Sequence, residues 1–320
     1  MTADFSPYQG RTVCVTGGAG FIGAHLAHAL VHHGASVSVI DDLSNGREAN
    51  LAPIKDRVRF VRGSVLDHRA LESAMSGAGI VFHLAAIASV PRSVREPALY
   101  TRVNATGTLR VLQAARDAGA QRLVYAASSS AYGSRGELPR VESAAPDPQS
   151  PYAAAKCAGE YMLRAFARCY GLPCISLRYF NIFGPRQRHD SPYAAVIPRF
   201  VKTLLQGGDP TIYGDGSQTR DFTYVANAVH ANLLAGLTTA GLRGQVVNIA
   251  SGRSATVLEL LTAIAGLLGL QPRYRLAPPR TGEVRHSLAS VDAARDLLGY
   301  EPLTDFHTGL EHTVASFTDL

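Results

Sequence analysis

The apolar positions of this chain follow two periods. Short β-rich runs occur at Arg11 to Thr16 (RTVCVT), Ala35 to Ile40 (ASVSVI), Val58 to Val61, Ile80 to His83, Arg122 to Ala126, Cys174 to Tyr179 and Val246 to Ile249. Between several of them, Phe21 to His33, Leu66 to Met75, Asn104 to Ala118 and Tyr152 to Tyr170 repeat apolar residues at helical spacing. Strands joined by helices of this length return in the same direction, so the alternation predicts an α/β chain with a doubly wound, mainly parallel sheet. After Asn181 the texture changes, and prolines and glycines cluster at GPRQRHDSP, QGGDP and YGDGS. The expected division is a sheet-forming portion over 1–180, rejoined near 223–250, and a smaller, loop-rich C-terminal substrate-binding portion over 181–320.

The first β-rich run is followed at once by Gly17-Gly18-Ala19-Gly20-Phe21-Ile22-Gly23, which satisfies both GxGxxG and GxxGxxG. Glycines here allow a tight turn and bring the backbone close to a pyrophosphate, whose negative charge then faces helix N-terminal N–H groups. In the context strand–glycines–helix, the pattern points to a Rossmann-type dinucleotide site. The next strand ends in Asp41-Asp42. Asp41 is placed to accept from the adenosine ribose and to repel the extra phosphate of NADP, so NAD is the expected cofactor; Asp42 is expected to order the turn. No GKS or GKT follows the glycines, which argues against a Walker-type loop.

Ser150-Pro151-Tyr152 opens a helical run, with Ser150 as a candidate cap and Pro151 suited to the first turn. Tyr152 and Lys156 stand four apart and can share a helix face. A phenol with its usual pKa of about 10 is a poor base at neutral pH. A neighbouring ammonium favours the phenolate, and together with the positive nicotinamide turns Tyr152 into a candidate base. Upstream, Ser128-Ser129-Ser130 follows a strand at the end where this fold places its ligand crevice, so Ser128 can orient a substrate hydroxyl and relay its proton to Tyr152. Backbone satisfaction in the loop is the competing role for any one of these serines. No GxSxG elbow is present, and the implied chemistry is removal of an alcohol proton with hydride transfer to nicotinamide.

Composition narrows the picture further. No apolar run reaches the roughly 18 residues of a membrane span, and MTADFSPYQG lacks a basic region followed by a long apolar segment, so a cytoplasmic location is expected. The net charge of +6 comes from 31 basic and 25 acidic residues, but the arginines are scattered, which suits a small polyanion better than nucleic acid. Cys14, Cys157, Cys169 and Cys174 form no CxxC pair and are expected to be buried free thiols. His25, His28, His32 and His33 crowd one segment without an accompanying Cys, Asp or Glu. A solvated or subunit-facing helix surface is expected there, and no metal.

With these motifs in order along nearly all 320 residues, the chain resembles the extended short-chain dehydrogenase/reductase family, specifically its UDP-sugar 4-epimerases. The resemblance is carried by GGAGFIG (Gly17 to Gly23), DDLSNG (Asp41 to Gly46), HLAA (His83 to Ala86), NATGT (Asn104 to Thr108), SSSAYG, SPYAAAK, LRYFNIFGPRQ (Leu177 to Gln187), GDGSQTRDF (Gly214 to Phe222) and RTGEVRHS (Arg280 to Ser287). It implies Ser128, Tyr152 and Lys156 as the catalytic residues. For the cofactor it implies Gly17, Gly20, Phe21, Ile22, Gly23, Asp41, Asp42, Ser44, Asn45, Gly46, Ser64, Val65, Leu84, Ala85, Ala86 and Tyr179, together with Tyr152 and Lys156. For the UDP portion it implies Asn181, Ala195, Val196, Tyr213, Arg220, Arg280 and Glu283, and for the sugar Ser89, Ser128, Ser129, Tyr152, Gln187 and Ser287. A homodimer through a four-helix interface made by Asn104 to Ala118 and Tyr152 to Tyr170 is implied as well.

Departures within the resemblance bear on the reaction. Nucleotide-sugar 4,6-dehydratases place Asp-Glu after the catalytic hydroxyl, where this chain has Ser129-Ser130; uronate 4-epimerases usually have Thr where Asn181 stands. Ser287 replaces the bulky Tyr of epimerases restricted to non-acetylated hexoses and leaves room for a 2-acetamido group. SVPRS at Ser89 to Ser93 and YAAVIPRF add a likeness to the UDP-N-acetylglucosamine 4-epimerases of bacterial surface-polysaccharide pathways. By the resemblance, Ala88, where Gly is usual, would narrow the sugar pocket by a methyl group and move preference toward the unacetylated sugar, and Ser64 replaces an Asp near the adenine. The expected reaction is reversible, NAD-dependent C4 epimerisation of UDP-N-acetylglucosamine, with UDP-glucose as a further substrate. The competing readings are a UDP-glucuronate epimerase, another nucleotide-sugar oxidoreductase or decarboxylase, and a non-enzymatic NAD-binding regulator.

Overall fold

The computed structural model describes residues 3–134, 136–188, 195–279 and 284–318. Seven parallel strands make one sheet: β1 (Thr12–Thr16), β2 (Ser36–Asp41), β3 (Val58–Arg62), β4 (Ile80–His83), β5 (Arg122–Ser128), β6 (Cys174–Tyr179) and, far along the chain, β11 (Gln245–Ile249). Their spatial order is β11-β6-β5-β4-β1-β2-β3, so the winding reverses between β1 and β4. In a doubly wound sheet this reversal opens the crevice in which a dinucleotide lies.

Helices cover both faces. α1 (Phe21–His32) and α8 (Val225–Leu237) pack together on one side, over Val13, Val15, Val37, Val39 and Phe82. On the other, α2 (His68–Met75), α5 (Gly107–Asp117) and α6 (Pro151–Tyr170) close over Cys14, Val81, Leu123 and Tyr125. Both faces of the central strands are apolar because both are covered. The short α3 (Val90–Arg95) and α4 (Pro97–Tyr100) lead to the α5 segment. That segment differs from the single helix expected over Asn104 to Ala118: Thr101–Thr106 winds as π-helix before α5 begins. Inside it the side chain of Asn104 is clasped to the backbone of Ile87, whose N–H it accepts at 2.9 Å and whose carbonyl it donates to at 3.0 Å. The helix expected from Leu66 starts later, at His68, because Asp67 caps it by accepting from the N–H groups of Arg69 and Ala70.

The C-terminal portion holds β7 (Ile182–Phe183), α7 (Val196–Leu205), β8 (Thr211–Tyr213), β9 (Thr219–Arg220), β10 (Thr223–Tyr224), β12 (Ala255–Thr256), α9 (Val257–Leu267), β13 (Arg275–Ala277), α10 (Asp292–Leu298) and α11 (Phe306–Thr318). Its two-stranded pairs β10–β7, β12–β9 and β13–β8 surround a separate core of Phe183, Phe200, Ile212, Phe222, Leu260 and Leu310. α9 begins in a capping box between Thr256 and Glu259, which accounts for the one acid in that apolar run. Among the described residues no helix is long and apolar enough to cross a membrane.

Two expectations need correction. Cys169 is exposed, while Cys14, Cys157 and Cys174 are buried and their thiols pushed up to about 12, 11 and 12 by burial. The histidine segment is only in part a solvated surface: His32 is exposed, while His25 and His28 are half-buried, with their Nε2 atoms 2.9 Å from the carbonyls of Pro185 and Asn50, fastening α1 to neighbouring loops. Neither ring belongs to a metal-holding group among the described residues.

Candidate active site

The glycine turn between β1 and α1 is packed to the limit. Gly17 has φ +70° and a Cβ there would lie 2.7 Å from the Ala85 backbone; at Gly23 it would lie 2.1 Å from the Gly17 carbonyl. Leu84 and Ala85 donate their N–H groups to Thr16, the first to its carbonyl at 3.1 Å and the second to its hydroxyl at 3.2 Å. Phe21 and Ile22 start α1, so its first turn opens at the crevice.

Asp41, at the end of β2, is buried, and its carboxylate accepts from the N–H groups of Ala19 at 3.0 Å and Leu43 at 2.8 Å. Gly46 passes so close that a Cβ would lie 2.9 Å from both carboxylate oxygens. Asp42 accepts from the N–H of Ser44, the turn-ordering role expected of it. The Ser64 hydroxyl accepts from Leu66 N, within its own turn, beside the buried Val65. Asn45 accepts from Arg188. Ala86 continues from β4 along the crevice, and the Tyr179 hydroxyl points into the core, accepting from Asn232 Nδ2 at 2.6 Å.

Ser128 ends β5, and Tyr152 sits in the first turn of α6, whose N-terminus is capped by Ser150 accepting from Ala153 N at 3.1 Å. The Ser128 side chain lies close to the Tyr152 phenol and lowers a pKa that burial raises more strongly. Ser128 Oγ also accepts from the N–H and the hydroxyl of Ser130, with Ser129 between them. Tyr100 meets the Tyr152 ring edge-on, with centroids 6.4 Å apart.

Lys156, only 3% exposed, donates from Nζ to the Ala126 carbonyl at 2.8 Å and lies 4.8 Å from the Tyr125 ring centroid. Burial draws its pKa down to about 7. The chain's own groups therefore leave the phenol above its usual value, and the expectation of a lysine-lowered Tyr152 requires a further positive charge beside it.

A cavity of about 410 Å³ opens between β7, α7, β8 and β9, lined by Asn181, Gln187, Ala195, Val196, Tyr213 and Arg220 among others. Asn181, at φ +38°, donates through Nδ2 to the Asp221 carbonyl at 3.0 Å. The Asp221 carboxylate accepts from Ser251 (N–H and hydroxyl), Gly252 N and Ala289 N, tying three loops together behind the cavity. Arg220 donates to the carbonyls of Thr219 and Arg285. Ser287 is placed by its N–H donating to Thr219 O, and Ser89 caps α3. Arg280 and Glu283 lie outside the described residues.

Sequence reasoning missed Arg199, which lines the same cavity with its guanidinium 5.8 Å from the Tyr213 centroid. It also missed His83, whose ring is locked between two hydroxyls, Thr16 Oγ1 at 2.7 Å from Nδ1 and Thr108 Oγ1 at 2.9 Å from Nε2. Thr108 donates to the Asn104 carbonyl, so it accepts from His83 Nε2–H, and Thr16 donates to Nδ1. The only signal for this was the polar His inside an apolar strand.

A family profile described as "NAD dependent epimerase/dehydratase family" matches residues 13–250. The chain belongs to that family. One relative in it is the UDP-glucose 4-epimerase of Mycolicibacterium smegmatis, 39% identical over 307 residues, covering 95% of this chain and 97% of that protein. Another is the UDP-N-acetyl-alpha-D-glucosaminuronate decarboxylase of Bacillus cytotoxicus, 33% identical over 318 residues, covering 96% and 97%. A solved family structure, the UDP-N-acetylglucosamine 4-epimerase from Methanobrevibacter ruminantium M1 in complex with UDP-N-acetylmuramic acid, superposes with a TM-score of 0.92 at 39% identity, covering 97% and 99%. Membership in the NAD dependent epimerase/dehydratase family thus spans more than one reaction, and side chains at the crevice must distinguish them.

Proposed function

We propose that this protein interconverts UDP-N-acetylglucosamine and its C4 epimer, with UDP-glucose and UDP-galactose as a further pair, using NAD. The observation that carries this reading is the Ser128 side chain close to the Tyr152 phenol, followed by Ser129 and Ser130 where water elimination would need an acid and a base. Names of relatives agree with it, since C4 epimerases of both sugars are among them.

The residues present fit NAD. The cradle is the turn itself: at Gly17 and Gly23 the backbone passes the Ala85 backbone and the Gly17 carbonyl too closely for a Cβ, which keeps the turn tight ahead of the α1 N-terminus, and Asp41 accepts from Ala19 N within it. When bound, NAD supplies a reversible acceptor for the C4 hydrogen and its electron pair. Tyr152 takes the 4-hydroxyl proton, directly or through Ser128, and returns it after the sugar has turned over. Lys156 holds the nicotinamide ribose and the positive charge near the phenol. Asn181, Arg220 and, by resemblance, Arg280 and Glu283 anchor UDP, so that the sugar alone rotates about the diphosphate linkage. Ser287, Ser89, Ser129 and Gln187 leave space and donors for a 2-acetamido group. We further place the enzyme in the cytoplasm, as a homodimer.

The test is a proton-NMR assay of C4 exchange on UDP-GlcNAc, UDP-Glc and UDP-GlcA with NAD-loaded protein. Exchange fastest on UDP-GlcNAc, with neither carbon dioxide nor accumulating NADH, supports the assignment. Absence of exchange on all three from folded, loaded protein overturns it.

A further inference from the structure

Below the reactive groups lies a charged pair that the reaction as described leaves unused. Glu160 and Arg178 are 5% and 3% exposed, and Arg178 donates from Nε to Glu160 Oε1 at 2.8 Å and from Nη2 to Oε2 at 2.7 Å. Taking two charges out of water costs several kcal/mol per ion, and apolar side chains of similar volume would often hold a helix on a sheet at least as well. Stability alone is therefore a weak reason for this pair.

Its surroundings point to positioning. Glu160 follows Lys156 by one helical turn, on the same face of α6. Lys156 is fastened to β5 through the Ala126 carbonyl, and Glu160 to β6 through Arg178, so α6 can neither rotate nor slide without breaking one attachment. Tyr152 rides on the same helix. The Arg178 guanidinium lies 4.5 Å from the centroid of Tyr132, whose phenol donates to Asn248 Oδ1 at 2.7 Å. Asn248 Nδ2 donates in turn to the carbonyls of Arg140 at 3.0 Å and Ser290 at 3.2 Å. Arg140 is bridged to Ala289, two residues beyond Ser287. Contacts thus lead from α6 through Arg178, Tyr132 and Asn248 to the Arg140–Ala289 bridge, in the segment that also carries Ser287.

The groups around the Lys156 side chain come from several elements. Tyr152 and Glu160 stand on α6 itself, Tyr125 on β5 and His83 on β4, while Arg178 and Tyr132 reach it through Glu160, and Tyr100 through Tyr152. Burial keeps His83 neutral and the Tyr125 phenol protonated. Glu160 is the carboxylate that opposes the effect of burial on Lys156.

We propose that Glu160, gripped by Arg178, is a positioning residue for Lys156, keeping the lysine cationic and α6 in register so that Tyr152 works beside a positive charge. The consequence for turnover rests on the epimerase reading; the effect on Lys156 does not.

Two variants test it in the full chain. Glu160→Gln keeps the size and most hydrogen bonds and removes the charge; Glu160→Leu with Arg178→Met replaces the pair by apolar side chains. The readouts are the Lys156 titration by nitrogen-15 lysine side-chain NMR, kcat and KM for UDP-GlcNAc, and the thermal midpoint. In Glu160→Gln, which leaves the Arg178 charge uncompensated, the Lys156 midpoint is expected to fall by about one pH unit, equivalent to a tenfold change in the protonation equilibrium; the pair replacement, which removes no net charge, should shift it less. The same variants should lose about tenfold or more in kcat at neutral pH, with KM changed by less than about twofold, the signature of an interaction needed in the transition state rather than for binding. Glu160→Asp, which keeps the charge, should recover most of both. Folded Glu160→Gln with an unshifted Lys156 midpoint overturns the proposal and leaves the pair a packing element. If the unaltered protein turns over no UDP-sugar, the epimerase reading fails, while the Lys156 titration still decides this inference.

Discussion

Ser128 and Tyr152 face each other from different elements, the end of β5 and the first turn of α6, and the serine draws the phenol's pKa down against the stronger upward push of burial. The pair gives one acid–base unit whose two members should not be equivalent. Tyr152→Phe removes the proton acceptor and should lower kcat about 10²–10⁴-fold, the usual range for a general acid–base group. Ser128→Ala leaves the phenol in place and should cost less. Steady-state kinetics on UDP-GlcNAc checks both; equal activity in Tyr152→Phe would remove the tyrosine from the chemistry.

Ser287 is held by its backbone N–H on the Thr219 carbonyl, so a larger side chain at 287 cannot be relieved by a simple shift of the chain. Ser287→Tyr should cut kcat/KM on the acetamido sugar by roughly 10–200-fold, the range expected of crowding in a pocket, and spare UDP-glucose. The ratio of the two specificity constants is the measurement, and an unchanged ratio places the acetamido group elsewhere.

The turn around Gly23 has no room for a methyl group, since its Cβ would press on the Gly17 carbonyl. Gly23→Ala should therefore displace that turn at a cost of about 1–3 kcal/mol of overpacking and leave purified protein depleted of NAD. Cofactor content by absorbance after denaturation, alongside the thermal midpoint, reports each effect separately. Full NAD content at wild-type stability contradicts the cradle.

Burial draws the His83 pKa down to about 3, and that of His25 to about 4, from a usual 6.5. The folded chain keeps these rings neutral while the unfolded chain protonates them. Their neutral state thus contributes fully above pH 6.5, and the contribution is lost progressively as pH falls from there toward 3 to 4. Urea midpoints should fall steadily from pH 7 to pH 4.5. His83→Gln should be less stable at pH 7, by about 1–3 kcal/mol for the disturbed buried hydrogen bonds, yet show a shallower acid slope. An unchanged slope assigns the acid sensitivity to other groups.

Much of the framework follows from short-range rules. The alternation of β-rich runs and helical periods is a local signal, and it placed every strand of the main sheet to within a residue or two of its ends. Gly17 to Gly23 and Ser150 act through backbone geometry or caps only a few residues away, which makes such glycine turns and helix starts readable from neighbours, although the apolar period from Leu66 concealed the Asp67 cap. The π-helical turns at Thr101–Thr106 were not readable, because the clasp between Asn104 and the Ile87 backbone spans a loop and two short helices.

The distant pairings belong to tertiary structure. Lys156 and Tyr152 share a helix face by spacing alone, but that Lys156 turns to the Ala126 carbonyl, and loses charge affinity there, depends on how closely α6 lies on β5. The same holds for Glu160 meeting Arg178, for Asp221 drawing together loops at 251–252 and 289, and for Cys169 emerging while its three fellow cysteines are buried. Residue spacing governs which side chains a helix or strand presents together. Which partners they meet, and how much water is left around them, is set when separate elements pack, because solvation and charge pairing act through space rather than along the chain.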